Sequence, residues 1–371
     1  VYSLLEYKEI IMGRVYNFNP GPSTLPLSAL EKAQAEFTDY KGTGMSVLEM
    51  SHRSKDFEAI LADTQSLLKE MIGIPDNYKI LFLGGGASLQ FAMLPMNFIP
   101  QGGSADYVVT GEWAKRAIKE ANIIARGHAA ASSEDKNFSY LPKPESWDLD
   151  PQAAYLHLTS NNTIFGTQYR SFPDHKGKFL VCDMSSDILS HRFDISPFAM
   201  IYAGAQKNLG PAGVTLVIVR DDFAATAREG LPTMLSYATH IKNNSLYNTP
   251  PCFPIYIMQL TLQWVKELGG LAAIEKINSD KADLLYATID GSNGFYRGTV
   301  ETGSRSWMNV PIRLATEELE AAFIVEAKSQ GLVGLKGHRS VGGLRVSMYN
   351  AMPLAGIEKL VDFMKAFKSR H

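Results

Sequence analysis

Between Tyr78 and Arg228 the chain repeats one pattern, a short apolar run followed by a turn and, in most repeats, a helical stretch. The runs are YKILFLG, ADYVVT, AYLHLTS, GKFLVCDMS, MIYAGAQK and VTLVIVR. The interleaved helical segments include the one entered at Ser88, GEWAKRAIKEA and DDFAATARE. Runs this short and continuously apolar predict strands buried on both faces. Alternation with helices then predicts a mostly parallel sheet covered on either side, an α/β fold. In such a sheet ligand chemistry collects at the carboxyl ends of the strands.

Composition narrows the class further. With 371 residues, 45% hydrophobic and 20% charged, the chain is long enough for two packed cores, which argues against a single small binding module. A formal net charge of -2 supplies no electrostatic footprint for nucleic acid or an anionic membrane, so neither is expected as a partner. No window approaches the roughly 18 uninterrupted apolar residues of a membrane span. The two cysteines, Cys182 and Cys252, form neither a disulfide framework nor a CxxC metal site, so no metal is expected; this is the usage of a reducing cytoplasm. The opening VYSLLEYKEII carries Glu6, Lys8 and Glu9 and lacks a small-residue cleavage site, so it does not read as a secretory signal. Because Met12 begins GRVYNFNPGPS, residues 1–11 read as upstream or non-native sequence.

After the Pro-rich stretch Thr249 to Pro254 a long helical pattern is interrupted by Gly269-Gly270, where the domain boundary is placed. Residues 27–268 then form the large domain. Residues 269–371 form a smaller α+β unit containing SWMNVPIRL, the helix TEELEAAFIVEAKSQ ending at Gly331, LRVSMYN and a C-terminal helix.

Lys207, in IYAGAQKNLGPAGVTLVIV, follows a strand and enters a Gly/Pro-rich loop. A lone loop lysine is more often a solvated side chain than a functional one. Asp183, at the end of KFLVCD and plausible on a neighbouring strand, changes that balance, although it also reads as a turn cap. A lysine to carry pyridoxal 5'-phosphate and a buried carboxylate to pair with its ring nitrogen are what such a site requires. The segment ILFLGGGASLQF passes from strand to helix through Gly84, Gly85 and Gly86, and helix N-terminal amides beside Ser88 suit a phosphate. It has neither a GK[ST] continuation nor a dinucleotide spacing, which disfavours nucleotide. Trp113 reads as a stacking ring or as core. His52-Arg53, His338-Arg339 and Arg345 are basic clusters; each alone reads as surface, but Arg345 in a strand needs a carboxylate to bind.

Together these segments resemble the class V aminotransferases within the fold-type I pyridoxal phosphate enzymes, in their phosphoserine-converting branch. The strings that carry the likeness are VYNFNPGPSTLP, GTGMSVLEMSHRSKDF, GEWAKRA, LTSNNTIFGTQ, CDMSSDILS, AGAQKNLGPAGVT, YNTPPCFPIY and GHRSVGGLRVSMYNAMP, which run along the chain from Val15. The resemblance implies that Lys207 is the Schiff-base lysine, Asp183 the ring-nitrogen partner and Trp113 the stacking ring. Thr163 is then near the phenolic oxygen, and Ala87, Ser88 and Gln206 hold the cofactor phosphate. Asn248 and Thr249 reach the phosphate of a neighbouring subunit, which implies a homodimer with the cofactor site shared across its interface. His52, Arg53, His338 and Arg339 match binders of the substrate's distal anion, and Arg345 the anchor of its α-carboxylate. Residues 1–26 are expected to pack with the small domain. Where some relatives carry GGGRGQF this chain reads GGGASLQF, which removes an arginine side chain and leaves the backbone cradle.

The implied reaction is transamination between phosphoserine and 2-oxoglutarate, giving 3-phosphohydroxypyruvate and glutamate, in serine biosynthesis, with 4-phosphohydroxythreonine in pyridoxine biosynthesis as a further substrate. Two rivals stand beside it. A cysteine desulfurase would need a nucleophilic thiol at Cys182 or Cys252, and a non-catalytic phosphate- or nucleotide-binding protein would rest on the Gly84 to Gly86 loop alone.

Overall fold

The computed structural model describes residues 13–371, so the expectation about residues 1–11 falls outside the described residues. The first described strand, β1 (Tyr16–Asn17), pairs in parallel with a strand far along the chain, Leu332–Val333. Seven strands then form the main sheet: β2 (Tyr78–Leu83), β3 (Ser104–Val109), β4 (Arg126–Ser132), β5 (Ala153–Thr159), β6 (Leu180–Asp183), β7 (Phe198–Gly204) and β8 (Thr215–Arg220). Their order is β2-β8-β7-β6-β5-β3-β4, and β8 alone runs against the rest.

The reversal of β8 follows from chain length. A parallel return needs a crossover of about a dozen residues or more, usually a helix. The loop 205–214 is too short for that, so β8 comes back antiparallel and Lys207 is left in the turn.

Both faces of the sheet are covered, which explains the unbroken apolar runs. Along β8 the side chains alternate between two cores: Leu216 and Ile218 join one cluster, Val217 and Val219 the other. The first cluster is closed by α1 (Leu27–Ala35), α2 (Lys55–Ile72) and a later helix over Cys252–Glu267. Helix α2 starts where the Ser54 hydroxyl accepts the Phe57 amide at 3.2 Å, and it buries Phe57, Ile60, Leu61, Leu67 and Leu68 on one stripe. The opposite face is covered by α3 (Gly86–Phe98) and α4 (Glu112–Ile124).

The short α5 (Asp221–Ala224) and α6 (Tyr237–Lys242) precede α7 (Cys252–Glu267), and the chain leaves the helix at Leu268-Gly269 before α8 (Gly270–Asp290). The glycine pair therefore does break the long helical pattern. Beyond it lie β9 (Arg297–Gly298), β10 (Asn309–Arg313), α9 (Glu317–Ser329), β11 (Leu332–Val333), β12 (Leu344–Ser347) and α10 (Leu354–Arg370). Strands β12, β10 and β9 make a small antiparallel sheet, and a third core gathers Leu285, Val310, Phe323, Val346 and Leu360 around Phe18 from the N-terminal segment.

Strand β4 has no counterpart among the apolar runs. Its sequence RGHAAAS carries small residues, of which only Ala130 is buried, because an edge strand is held by the backbone of β3 on one side and needs little apolar surface of its own.

Candidate active site

Strands β2, β3, β5, β6 and β7 all end on the same side of the sheet, and the connections that follow them surround a cavity of about 260 Å³. Its walls include Ala87, Ser88, Trp113, Thr163, Asp183, Gln206, Lys207, His338 and Arg345. Nine residues singled out from widely separated stretches of sequence are thus brought to one place.

Lys207 is held there from two directions. Its backbone is tied to the N-terminal segment, since the Ser23 hydroxyl donates to the Lys207 carbonyl at 2.6 Å and the Ser23 amide to the Gln206 carbonyl at 3.0 Å. Gly21 lies against the side chain: at φ +136° a Cβ would sit 3.3 Å from Lys207 Cγ, so this contact and this backbone both favour glycine. At its tip, Nζ donates to Thr163 Oγ1 at 2.8 Å and stands 5.7 Å from the Trp113 ring centre. Burial pushes the amine down to about 8, a fall opposed by Asp183 and increased by Arg345.

Asp183 ends β6, paired with β7, and is 4% exposed. Its carboxylate accepts the Ser185 amide at 2.9 Å. Burial raises its pKa, while Ser185 and the Lys207 charge work the other way. A cationic ring nitrogen placed against it would reverse the effect of burial and keep the carboxylate ionised.

The glycine turn supplies the next wall. Gly85 has φ +82°, and a Cβ there would come within 2.6 Å of Leu89 Cβ, so only glycine lets β2 turn directly into α3. No side chain caps that end of α3, which leaves its first-turn amides for an anion.

Arg345 lies in β12 and is 7% exposed. Among the described residues it has no carboxylate partner: NH1 reaches only the Thr163 carbonyl at 3.4 Å, and the buried Nε has no hydrogen-bond partner there. His338 is nearby, its pKa lowered first by burial and then by the positive charges of Arg345 and Arg339. A buried cation without a counter-ion beside further cations is a site built for an anion.

Other sequence candidates lie elsewhere in the subunit. Asn248 and Thr249 line a second cavity of about 520 Å³ with Gly84 and Gly85, on the other side of the glycine turn. His52, Arg53 and Arg339 line neither cavity. Arg53, Arg339, Asn248 and Thr249 are exposed.

The structure also adds residues that the sequence reading passed over. Asp187, buried at 3% exposure, bonds to Ser160 and Gln168 close behind Asp183. Tyr349 donates its hydroxyl to the Pro20 carbonyl at 2.7 Å and receives Asn309 Nδ2 at 3.2 Å. Both occur inside quoted strings, CDMSSDILS and LRVSMYN, and the second acid one helical turn after Asp183 was the available signal.

The site fits pyridoxal phosphate. Its cavity presents an amine, a buried carboxylate with a single amide donor, an uncapped helix end and the Trp113 ring, whose buried Nε1 has no hydrogen-bond partner among the described residues. Neither thiol belongs to it: Cys182 is fully buried with its pKa raised by burial, Cys252 is half-buried at the start of α7, and neither lines the cavity. This removes the physical basis for a desulfurase.

Comparison with known proteins gives the same direction. Residues 15–360 match the aminotransferase class-V family. A phosphoserine aminotransferase of Desulfosudis oleivorans is 58% identical over 96% of this chain and 98% of its own length. The structure of phosphoserine aminotransferase from Bacillus circulans subsp. alkalophilus superposes with a TM-score of 0.95 at 56% identity, covering 96% of this chain and 99% of that one. The pyridoxal phosphate-bound enzyme of the same description from Trichomonas vaginalis does so with a TM-score of 0.90 at 37% identity, over 95% of this chain and 100% of that one.

Proposed function

This chain belongs to the class V aminotransferase family, and on that premise we propose that it is a pyridoxal phosphate enzyme exchanging an amino group between phosphoserine and 2-oxoglutarate. The physiological direction is amination of 3-phosphohydroxypyruvate by glutamate, in serine biosynthesis. The observation that carries the reading is the meeting of Lys207, Asp183 and the unpartnered Arg345 in one cavity.

When bound, the cofactor supplies an aldehyde that links to amines and a ring that draws electrons from the substrate α-carbon. The chain's residues then divide the remaining work. Lys207 Nζ, with a pKa of about 8, is neutral often enough near neutrality to act as nucleophile and afterwards to carry the α-proton. Asp183 would pair with the ring nitrogen and keep it protonated, Trp113 would stack on the ring, and Thr163, which holds the lysine amine, would lie near the phenolic oxygen. Ala87, Ser88 and Gln206 would hold the phosphate. Arg345 binds the α-carboxylate common to all amino-acid substrates.

His338 and Arg339, with His52 and Arg53, bind the distal phosphate or carboxylate; nitrogen donors serve both because both ligands present only oxygen acceptors. Since His52, Arg53, Asn248 and Thr249 stand away from Lys207 in their own subunit, we assign them to the site of a second copy, in a homodimer with shared cofactor sites. The two substrates use the pocket in turn, so kinetics are ping-pong. The same pocket would take 4-phosphohydroxythreonine. A cytoplasmic location and the division into 27–268 and 269–371, with the N-terminal segment on the small unit, complete the proposal. Among the described residues no helix is long and apolar enough to cross a membrane.

The test is an amine-exchange assay with glutamate and 3-phosphohydroxypyruvate, run beside aspartate, alanine and cysteine as donors. Phosphoserine formed from glutamate well ahead of the other donors is expected. Equal turnover of all donors, or sulfide release from cysteine, would overturn the reading.

A further inference from the structure

Beside Asp183 the cavity wall contains a hydroxyl that the reaction as described does not use. Thr159 is the last residue of β5 and pairs in register with Asp183 on β6. Register neighbours on parallel strands present their side chains to the same face of the sheet. Tyr155 and Val181, an even number of residues before the two, lie in the core under α3 and α4. Thr159 and Asp183 therefore stand side by side on that face at the strand ends, and both line the 260 Å³ cavity. Thr159 is 2% exposed, and its Oγ1 is buried with no hydrogen-bond partner among the described residues.

The polar groups around it are engaged with one another. Thr163 Oγ1 accepts Lys207 Nζ at 2.8 Å, and Ser185 Oγ accepts the Gly204 amide at 3.1 Å. Tyr202, which pairs with Asp183 from β7, has its hydroxyl 2.8 Å from His157 Nε2. A buried hydroxyl without a partner is unfavourable. Valine has the same shape, suits a strand equally well and carries no such penalty. Threonine at the end of β5 finds its reason in an acceptor that the loaded site creates.

The Asp183 carboxylate is that acceptor. Neighbouring strands lie about 4.8 Å apart, so rotation about the Thr159 χ1 bond between staggered positions carries the hydroxyl toward the adjacent side chain. An ionised carboxylate has about four acceptor positions. The Ser185 amide takes one of them at 2.9 Å, and a ring nitrogen would take another. Burial raises the Asp183 pKa and favours its neutral, weakly accepting form, whereas a cationic ring nitrogen beside it favours the anion, which accepts strongly.

We infer that Thr159 is a positioning residue for the cofactor, its hydroxyl donating to the Asp183 carboxylate in the loaded site and holding that carboxylate ionised and aimed at the ring nitrogen. The inference rests on the reading of Asp183 as partner of that nitrogen.

Thr159→Val removes the hydroxyl and keeps the shape; Thr159→Ser keeps the hydroxyl. In the cofactor-free full chain, Thr159→Val should melt at the same or a higher temperature, because no hydrogen bond is lost. Titrated with pyridoxal phosphate, the same variant should bind about tenfold more weakly, the scale of a hydrogen bond to a charged group. The NMR signal of an isotope-labelled ring nitrogen should move toward its unprotonated position. Thr159→Ser should restore both affinity and signal. A threonine that serves strand packing alone would leave affinity unchanged, or lower stability and affinity together. In an Asp183→Asn background Thr159→Val should weaken binding clearly less, since a neutral amide is the poorer acceptor. A lower melting temperature in cofactor-free Thr159→Val, unchanged affinity, no rescue by serine, or an equal loss with and without the Asp183 carboxylate would each overturn the inference. A ring-nitrogen signal that stays in place in Asp183→Asn would overturn the reading of Asp183 on which it rests. None of these readouts needs turnover, so failure to exchange phosphoserine would refute the proposed function without touching them.

Discussion

Lys207 Nζ donates to Thr163 Oγ1 at 2.8 Å, so the amine is parked on a hydroxyl while the carboxylate of Asp183 acts on it only as a charge nearby. An amine held this way, with its pKa near 8, loses its proton far more readily than an exposed lysine. The neutral form is the nucleophile, so attachment of cofactor to the cofactor-free protein should accelerate as pH rises and level off above about 8. Stopped-flow absorbance across that range checks it; a rate still rising toward the ordinary lysine value would show that the amine is not depressed. Lys207→Ala should retain cofactor non-covalently through the α3 end and Asp183, and lose both borohydride-fixable attachment and turnover.

Asp183→Asn preserves shape and removes charge. The ring nitrogen then loses the anion that keeps it protonated, and α-proton removal should slow by far more than cofactor binding weakens. Single-turnover rates with deuterated and ordinary glutamate measure the step directly. Rates equal to those of the unmodified enzyme would assign the electron sink to another group.

The two ends of the substrate are separable. Arg345 is buried with no carboxylate partner among the described residues, and every amino acid brings one, so Arg345→Ala should impair phosphoserine, glutamate and alanine alike. Arg339→Ala and Arg53→Ala should impair phosphoserine and glutamate while sparing slow turnover of alanine, which has no distal anion. A charge-assisted hydrogen bond contributes roughly 1.5–3 kcal/mol, which corresponds to about a ten- to hundredfold fall in kcat/KM. Equal losses with alanine and phosphoserine in the Arg339 and Arg53 variants would remove the distal-anion pocket.

Asp187 also sets the sign of a stability change with pH. Its folded pKa, about 7, lies above the ordinary value of 3.8, so the folded state binds the proton more tightly. The stability it contributes is fully present below the unfolded value and is lost as pH rises through the folded one. Relative to Asp187→Asn, the cofactor-free enzyme should therefore lose Tm between pH 4 and pH 8, with most of the loss complete just above 7. Parallel Tm curves for the two proteins over that window would show that Asp187 does not titrate there.

The α/β class, the turn-borne lysine, the glycine break between α7 and α8 and the strand-embedded Arg345 were all legible without coordinates, because each rests on a local rule. Buried strands must be apolar on both faces, an uncapped helix start after glycines offers its amides, and an arginine inside an apolar strand needs a counter-ion. The edge strand β4 was not legible, since it draws its stability from the backbone of β3 and carries no apolar signature. The antiparallel course of β8 went unremarked, although the shortness of the 205–214 loop implies it. What only the tertiary structure decided is proximity: Gly21 lies against Lys207 and Tyr349 holds Pro20, contacts between residues remote in sequence. The division of the candidate site is of the same kind, with Arg345 and His338 reaching Lys207 and Asn248 and Thr249 turned to another cavity. The pairing of Asp187 with Ser160 and Gln168 belongs here too. A carboxyl's protonation depends on the burial and donors that three separate strand ends impose on it, and no spacing within CDMSSDILS encodes those.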